Sequence, residues 1–446
     1  MAETPGARIV SQRTRLLRLA WPIMLSNVTV PLVGATDVFV IGHQPDPALL
    51  AGLGLGAAAF SLAFFSFNFL RMGTTGPAAQ AAGAGDMVEA RAILYRALAL
   101  AVVIGLALIF LQPLLSLAAF ELTPAEPAVQ AAANSYLRIR LLAAPAALME
   151  MALVGWLWGM QDTRSAFYVQ IVTNFTNIVL SVWFVLGLGW GVEGAAAASA
   201  IAHVAGAIFG LFIVWRRLGP DRRVPVNHVL NLARLRRMMA VNRDIFIRTI
   251  CLVGSLFLFR AEANRFGAVA AASIEPLYQF LTLTAYALDG VSHAVEPMVG
   301  DAIGRKNRAA LKQAAIAALQ AGGVLAVVMS LALLAFGPMV VDAFSSIPEV
   351  VAMAQDYYVY AALLPIVAVW CYLFDGMFLG AALNTVVRNA MLQTVAVYLV
   401  ALYVLPQYLG FDGLWLALML FMAIRGGTLA LQWKRLLDSA EPQNKS

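Results

Sequence analysis

The sequence predicts an all-α polytopic membrane protein, with twelve transmembrane helices in two six-helix lobes related by an internal repeat. Three observations carry that expectation. Of the 446 residues 61% are hydrophobic and only 12% charged, with a mean hydropathy of +0.80. Apolar runs of the ~20 residues needed to cross a bilayer recur from end to end. Basic residues also gather in alternate loops. A soluble chain has no use for so much apolar surface, whereas in lipid a helix satisfies its own backbone.

The first span, 14–42, contains LLRLAWPIMLSNVTVPLVGATDVFVIG, with Arg13, Arg15 and Arg18 at its entrance. Pro22 and Pro31 remove backbone donors and favour bending. Asp37 is its single carboxylate, and an acid in a span is costly enough to imply use or a partner. The run is too long for a cleaved signal peptide and no small-residue cleavage pattern follows, so it is expected to be retained. Spans at 48–84, 88–118, 127–160, 163–187 and 191–217 complete an N-terminal lobe, residues 1–217. The stretch 218–241 is the one long polar segment, and LNLARLRRMMA within it has amphipathic helical spacing, as a basic connector lying on the membrane surface would. Spans at 242–267, 268–304, 308–336, 350–383, 386–409 and 412–436 form a C-terminal lobe, residues 242–446.

The loops set the orientation. Arg8 to Arg18, Arg91, Arg96, Arg164, Arg216 to Arg243, Arg305 to Lys312, Arg388 and Lys434 fall on one side. Asp46, Glu121, Glu126, Glu193, Asp342, Glu349 and Asp412 fall on the other, and Arg265 is the exception. This positive-inside pattern places both termini in the cytoplasm. It also accounts for the +6 charge without a nucleic-acid partner. Cys251 and Cys371 both lie in spans, with neither a disulfide framework nor metal-ligand spacing, and read as packing residues.

A shift of 221 positions lays Gly83 on Gly304, Gly155 on Gly376, Gly159 on Gly380, Gly189 on Gly410 and Gly206 on Gly427. Two of these pairs form a G-x-x-x-G unit at equivalent helix ends, which lets helices approach closely. Six spans per half give a parallel repeat, an arrangement in which transporters place substrate between rocking halves.

The blocks LAWPIMLSN, VGATDVFVIGH, FLRMGTTGPAAQAAGAGD, YLRIRLLAAPAAL, GWLWGMQDTR, NRDIFIRTICL and YALDGVSHAVEPMVGDAIG resemble the DinF branch of the multidrug and toxic compound extrusion (MATE) family over nearly the whole chain. The resemblance implies an efflux antiporter in a bacterial inner membrane. It would act as a monomer and expel organic, often cationic and lipophilic, small molecules by alternating access, driven by protons or sodium. It implies no cofactor or metal beyond the coupling ion. In the family's N-terminal proton site Asp37 matches the first-helix aspartate, Pro22 the bend, Asn177 the fifth-helix asparagine and Ser199 the sixth-helix hydroxyl. Ser181 stands where many members have a second aspartate. That departure means that Asp37 titrates alone or that coupling has moved elsewhere, and it disfavours a sodium site in this lobe, since sodium wants several oxygen ligands including charged ones. The bland alternative for Asp37 is a permanently hydrogen-bonded structural residue near Pro31.

In the C-terminal lobe Asp289, His293 and Glu296 share one helix face. The preceding helix offers Arg248, Arg260 and Glu262, and Arg248, Asp289, Glu296 and Asp375 read as a buried ion-pair network. In other branches an aspartate near the place of Asp375 serves cation coupling, so the resemblance makes it the second candidate carrier. Arg138, Arg140, Met149 and Glu150 lie in the fourth span. Glu150 is a counter-charge for a cationic substrate, or a partner of Arg140 or Arg164, and Arg140 and Met149 are further cavity candidates. Met24, Phe60, Phe64, Trp156 and Trp158 supply soft apolar surface. A lipid-linked saccharide flippase of the related superfamily is the competing cargo. An enzyme is disfavoured, because H-E-x-x-H, G-x-S-x-G and phosphate-cradling loops are absent from the sequence.

Overall fold

The computed structural model describes residues 5–44, 46–122, 126–219, 222–344 and 347–441. Arg8 and Glu121, used above for orientation, lie outside the residues whose side chains it describes. Among the described residues the elements are helices: α1 Pro5–Gly42, α2 Pro47–Ser66, α3 Phe69–Gly83, α4 Met87–Phe110, α5 Gln112–Leu122, α6 Pro127–Leu142, α7 Ala144–Gly159, α8 Thr163–Val182, α9 Gly191–Leu218 and α10 Val226–Val229. They continue as α11 Leu232–Ala263, α12 Ala268–Gly304, α13 Arg308–Phe344, α14 Pro348–Gly380, α15 Asn384–Ala430 and α16 Trp433–Asp438.

Eight of these stretches are long and apolar enough to cross a membrane, and α6 with α7 makes a ninth, bent by 55°. The bend falls where Pro145, at the start of α7, cannot continue the α6 hydrogen-bond ladder. α15 is two spans in one element, because Gly410 takes a left-handed backbone (φ 60°) at the break expected between 386–409 and 412–436. α11 and α12 have spanning length, at 32 and 37 residues, but carry more charge than a purely apolar span. Counted this way, the spans are the twelve that the sequence predicts.

Contacts group the chain into two units, Leu25–Asn242 and Met1–Met24 with Arg243–Ser446. In the first, α7 is the central helix, packed on α3, α4 and α9. Its Trp156 is 1% exposed and donates through Nε1 to Ala90 O at 2.8 Å. The start of α11 belongs here, held by the Arg234–Glu89 ion pair. In the second unit α14 takes the central place, between α12, α13 and α15. Arg15 at the start of α1 pairs with Asp301 of α12 at 2.7 Å, which is one reason residues before Leu25 group with this unit.

The repeat is visible in the packing of each unit taken alone. A Cβ on Gly155 would stand 2.5 Å from Arg71 O, and one on Gly159 2.7 Å from Thr75 O. A Cβ on Gly376 would stand 2.4 Å from Ser292 O, and one on Gly380 2.2 Å from Glu296 O. Arg71 and Ser292, like Thr75 and Glu296, are themselves 221 positions apart. The same offset joins left-handed residues at helix ends: Gly85 with Lys306, Gln161 with Ala382, and Gly189 with Gly410. It also joins two caps, Asp86 Oδ1 accepting from Glu89 N and Asn307 Oδ1 from Ala310 N, both at 2.9 Å. Gly206 and Gly427 depart from this pattern. A Cβ on Gly206 would strike Thr173 Oγ1, whereas Gly427 has nothing within 4 Å.

Candidate functional site

Asn174, Asn177 and Ser181 recur on α8 at spacings of three and four, so they form one stripe. Each is bonded at 2.6 Å to a neighbouring helix. Asn174 Nδ2 donates to Thr29 Oγ1 on α1, Asn177 Nδ2 to Ser199 Oγ on α9, and Ser181 Oγ to Asp37 Oδ1 on α1. Asp37 is 6% exposed, Asn177 3%, Ser199 1% and Ser181 0%. All four residues expected of the proton site are therefore buried along one three-helix seam, within one unit. Asn177 Oδ1 is buried with no hydrogen-bond partner among the described residues. Arg140 on α6 is near enough for its charge to act on Asp37, and its guanidinium stacks 3.9 Å from the Phe60 ring centroid.

A carboxylate here can change charge without losing its partner. A hydroxyl both donates and accepts, so Ser181 donates to an ionised Asp37 and accepts from a protonated one. A second aspartate at 181 would instead set like charges side by side. Pro22 is buried, inside an α1 that is continuous from Pro5 to Gly42.

Of the two readings of Glu150, pairing with Arg140 or Arg164 is not found among the described residues. Its Oε1 accepts from Thr173 Oγ1 at 2.8 Å and its Oε2 meets His203 Nδ1 at 2.9 Å. Gly206 makes the room, since a Cβ there would stand 3.0 Å from Glu150 Oε2. The pairing is across helices α7, α8 and α9, at sequence separations that no local spacing rule reads. Met149, beside it on α7, is half-buried.

In the other unit Asp375, 3% exposed, accepts through Oδ2 from both Arg248 and Arg425. Arg248 and Asp375 were expected together. Arg425 was missed, although an arginine inside the apolar run FMAIRGG was itself a signal. Asp289 lies close enough for its charge to act on Tyr372 and Cys371, and Glu296 is fully buried on α12. Arg260 is not in this cluster: it pairs with Glu275 at 2.7 Å and stacks on Tyr278, while Glu262 pairs with Arg265.

Comparison with known proteins gives concordant results. The family model described as MatE matches twice, over residues 22–183 and 245–404, one match to each half of the chain. The chain is 38% identical over 432 residues to DNA damage-inducible protein F of Escherichia coli, covering 96% of this chain and 94% of that protein. It is 24% identical over 367 residues to the probable multidrug resistance protein NorM of Thermotoga maritima, covering 79% and 76%. A solved outward-facing multidrug resistance MATE transporter of the MOP superfamily superposes with a TM-score of 0.87, covering 99% of this chain and all of that one. At 18% identity, that likeness speaks for the fold alone.

Proposed function

Because this chain belongs to the MATE family of membrane transporters, we propose that it is a secondary active antiporter that exports organic, often cationic and lipophilic, compounds in exchange for protons. Asp37 is the carrier in this reading. It is the only carboxylate on α1, it is buried, and its bonded partner is a neutral hydroxyl rather than a cation. That single observation carries the proposal. A buried acid with no arginine locked onto it can gain and lose a proton without breaking an ion pair, whereas Asp375, held by Arg248 and Arg425, cannot.

The cycle follows from the seam. Ionised, Asp37 holds α1 to α8 through Ser181. Protonation removes the buried charge, the proline-weakened helix rearranges, and the substrate space changes its access, as alternating-access transporters with parallel repeats do. The likeness to the probable multidrug resistance protein NorM of Thermotoga maritima supports a broad cargo. The protein sits in a bacterial inner membrane as a monomer with both termini in the cytoplasm, which the loop charges favour. The Arg248–Asp375–Arg425 cluster locks its lobe rather than coupling sodium.

The test is efflux of a fluorescent lipophilic cation from proteoliposomes under an imposed proton or sodium gradient. Proton-driven efflux that disappears in Asp37→Asn is the expected result. Sodium-driven efflux moves coupling to Asp375. Absence of efflux under both gradients favours the lipid flippase.

A further inference from the structure

A groove of about 440 Å³ lies between α4 and α9, in the Leu25–Asn242 unit. Leu94, Leu98, Leu211, Phe212, Trp215 and Leu218 make its apolar walls. Both helices meet the criteria for a membrane span, and Phe212 and Trp215 are 49% and 54% exposed, so the groove opens along a surface that faces lipid. Its polar mouth is built differently. α9 ends at Gly219, whose left-handed backbone (φ 64°) turns the chain, and Arg222 comes back over the groove.

Three contacts hold Arg222 there. Its guanidinium lies 3.9 Å from the Trp215 ring centroid, its Nε donates to Gly219 O at 2.6 Å, and its carbonyl accepts from Tyr95 OH at 2.9 Å. A second guanidinium, Arg216, stands 5.6 Å from the Phe212 ring. Three neighbouring arginines of this unit have acids: Arg217 pairs with Asp162, and Arg96 and Arg234 with Glu89. Arg216 and Arg222 have no carboxylate partner among the described residues. Arg222 therefore brings an unneutralised charge to the groove itself, and Arg216 stands against Phe212, a residue of the same α9 wall.

We propose that this groove is a binding site for an anionic phospholipid, with an acyl chain between α4 and α9 and the headgroup phosphate on Arg222. The charge selects the class: a cationic amphiphile is repelled at this mouth, while an anionic headgroup at the end of a span meets the Arg222 guanidinium, set at interfacial depth by Trp215. A stacked guanidinium keeps its terminal amines in a fixed fork, the geometry that suits a phosphate. The site is independent of the transport reaction proposed above.

Native mass spectrometry of the full-length protein, with phosphatidylglycerol and phosphatidylcholine of identical chains added in competition, reads the site directly. Wild type is expected to retain one phosphatidylglycerol in preference to phosphatidylcholine. Arg222→Gln should lower that preference about fivefold, the contribution of one basic residue at an anionic surface. Arg265→Gln, which alters an exposed arginine in the other unit, should leave it unchanged. Leu98→Trp, filling the groove while keeping both charges, should reduce retention of the bound lipid. Equal retention of the two lipids by wild type, an undiminished preference in Arg222→Gln, or a loss in Arg265→Gln as large as in Arg222→Gln would overturn the proposal. A dimer of the chain that Leu98→Trp disperses would do so too, assigning the groove to a second copy.

Discussion

At Ser181 the chain replaces a possible second acid by a hydroxyl, and the consequence is energetic as well as chemical. Hydrogen bonds between membrane helices contribute on average about 0.6 and at most about 1.7 kcal/mol, so the Ser181–Asp37 bond positions the carboxylate more than it stabilises the fold. Ser181→Ala is therefore expected to lower stability by less than about 2 kcal/mol while reducing efflux several-fold. Thermal unfolding in detergent and transport, measured on the same preparation, check both halves of that statement. Asp375 calls for the opposite balance. Removing its charge leaves Arg248 and Arg425 buried without their shared acid, a change that costs about 3–5 kcal/mol. Arg425→Met leaves the Arg248–Asp375 pair intact and should cost much less. If Asp375→Asn instead unfolds like wild type but loses coupling, Asp375 is a carrier and the lock is wrong. The acid Asp37 was legible because one carboxylate stood in a membrane-length apolar run. Its place in one site with Ser181 followed only from family likeness, and the Glu150–His203 contact from nothing in the sequence, since 53 positions separate the two residues.

Among the elements, α7 and α14 organise their units through glycine pairs that let backbone approach backbone. The carbonyls they meet, on Arg71 and Thr75 in one unit and on Ser292 and Glu296 in the other, belong to main chain that cannot rotate away. Gly155→Val and Gly376→Val should each destabilise the protein by at least the ~1–3 kcal/mol typical of overpacking. Gly427→Ala, with open space around it, should be near neutral in the same unfolding assay. Equal effects at the three positions would remove the close-approach explanation. The repeat of these contacts was readable as a shift of 221 glycine positions, because a close approach leaves glycine no substitute. The bend between α6 and α7 was less readable. Pro145 marked it, but prolines also occur inside the continuous helices α1, α12 and α14, so the residue alone does not separate a break from a tolerated kink. Their polar residues hid α11 and α12 from a purely apolar test, yet their length and the position of their loops kept them as spans.

For the whole molecule, fold and family follow from a pattern spread over the entire chain, which is why composition, loop charge and the double family match agree. Coupling rests on far less: Asp37, a buried acid bonded to a neutral hydroxyl in the Leu25–Asn242 unit, and Asp375, clasped by two arginines in the other. That asymmetry is the central claim. On the proposed function the first unit is the proton-responsive one and the second a fixed frame, and the two carboxylates have different fates on neutralisation. Efflux of a lipophilic cation from proteoliposomes containing wild type or Asp37→Asn, under a proton gradient with sodium absent, tests it most directly. The account predicts proton-driven efflux in wild type and none in an Asp37→Asn protein that inserts and unfolds normally. Proton-driven efflux surviving in that variant would contradict it.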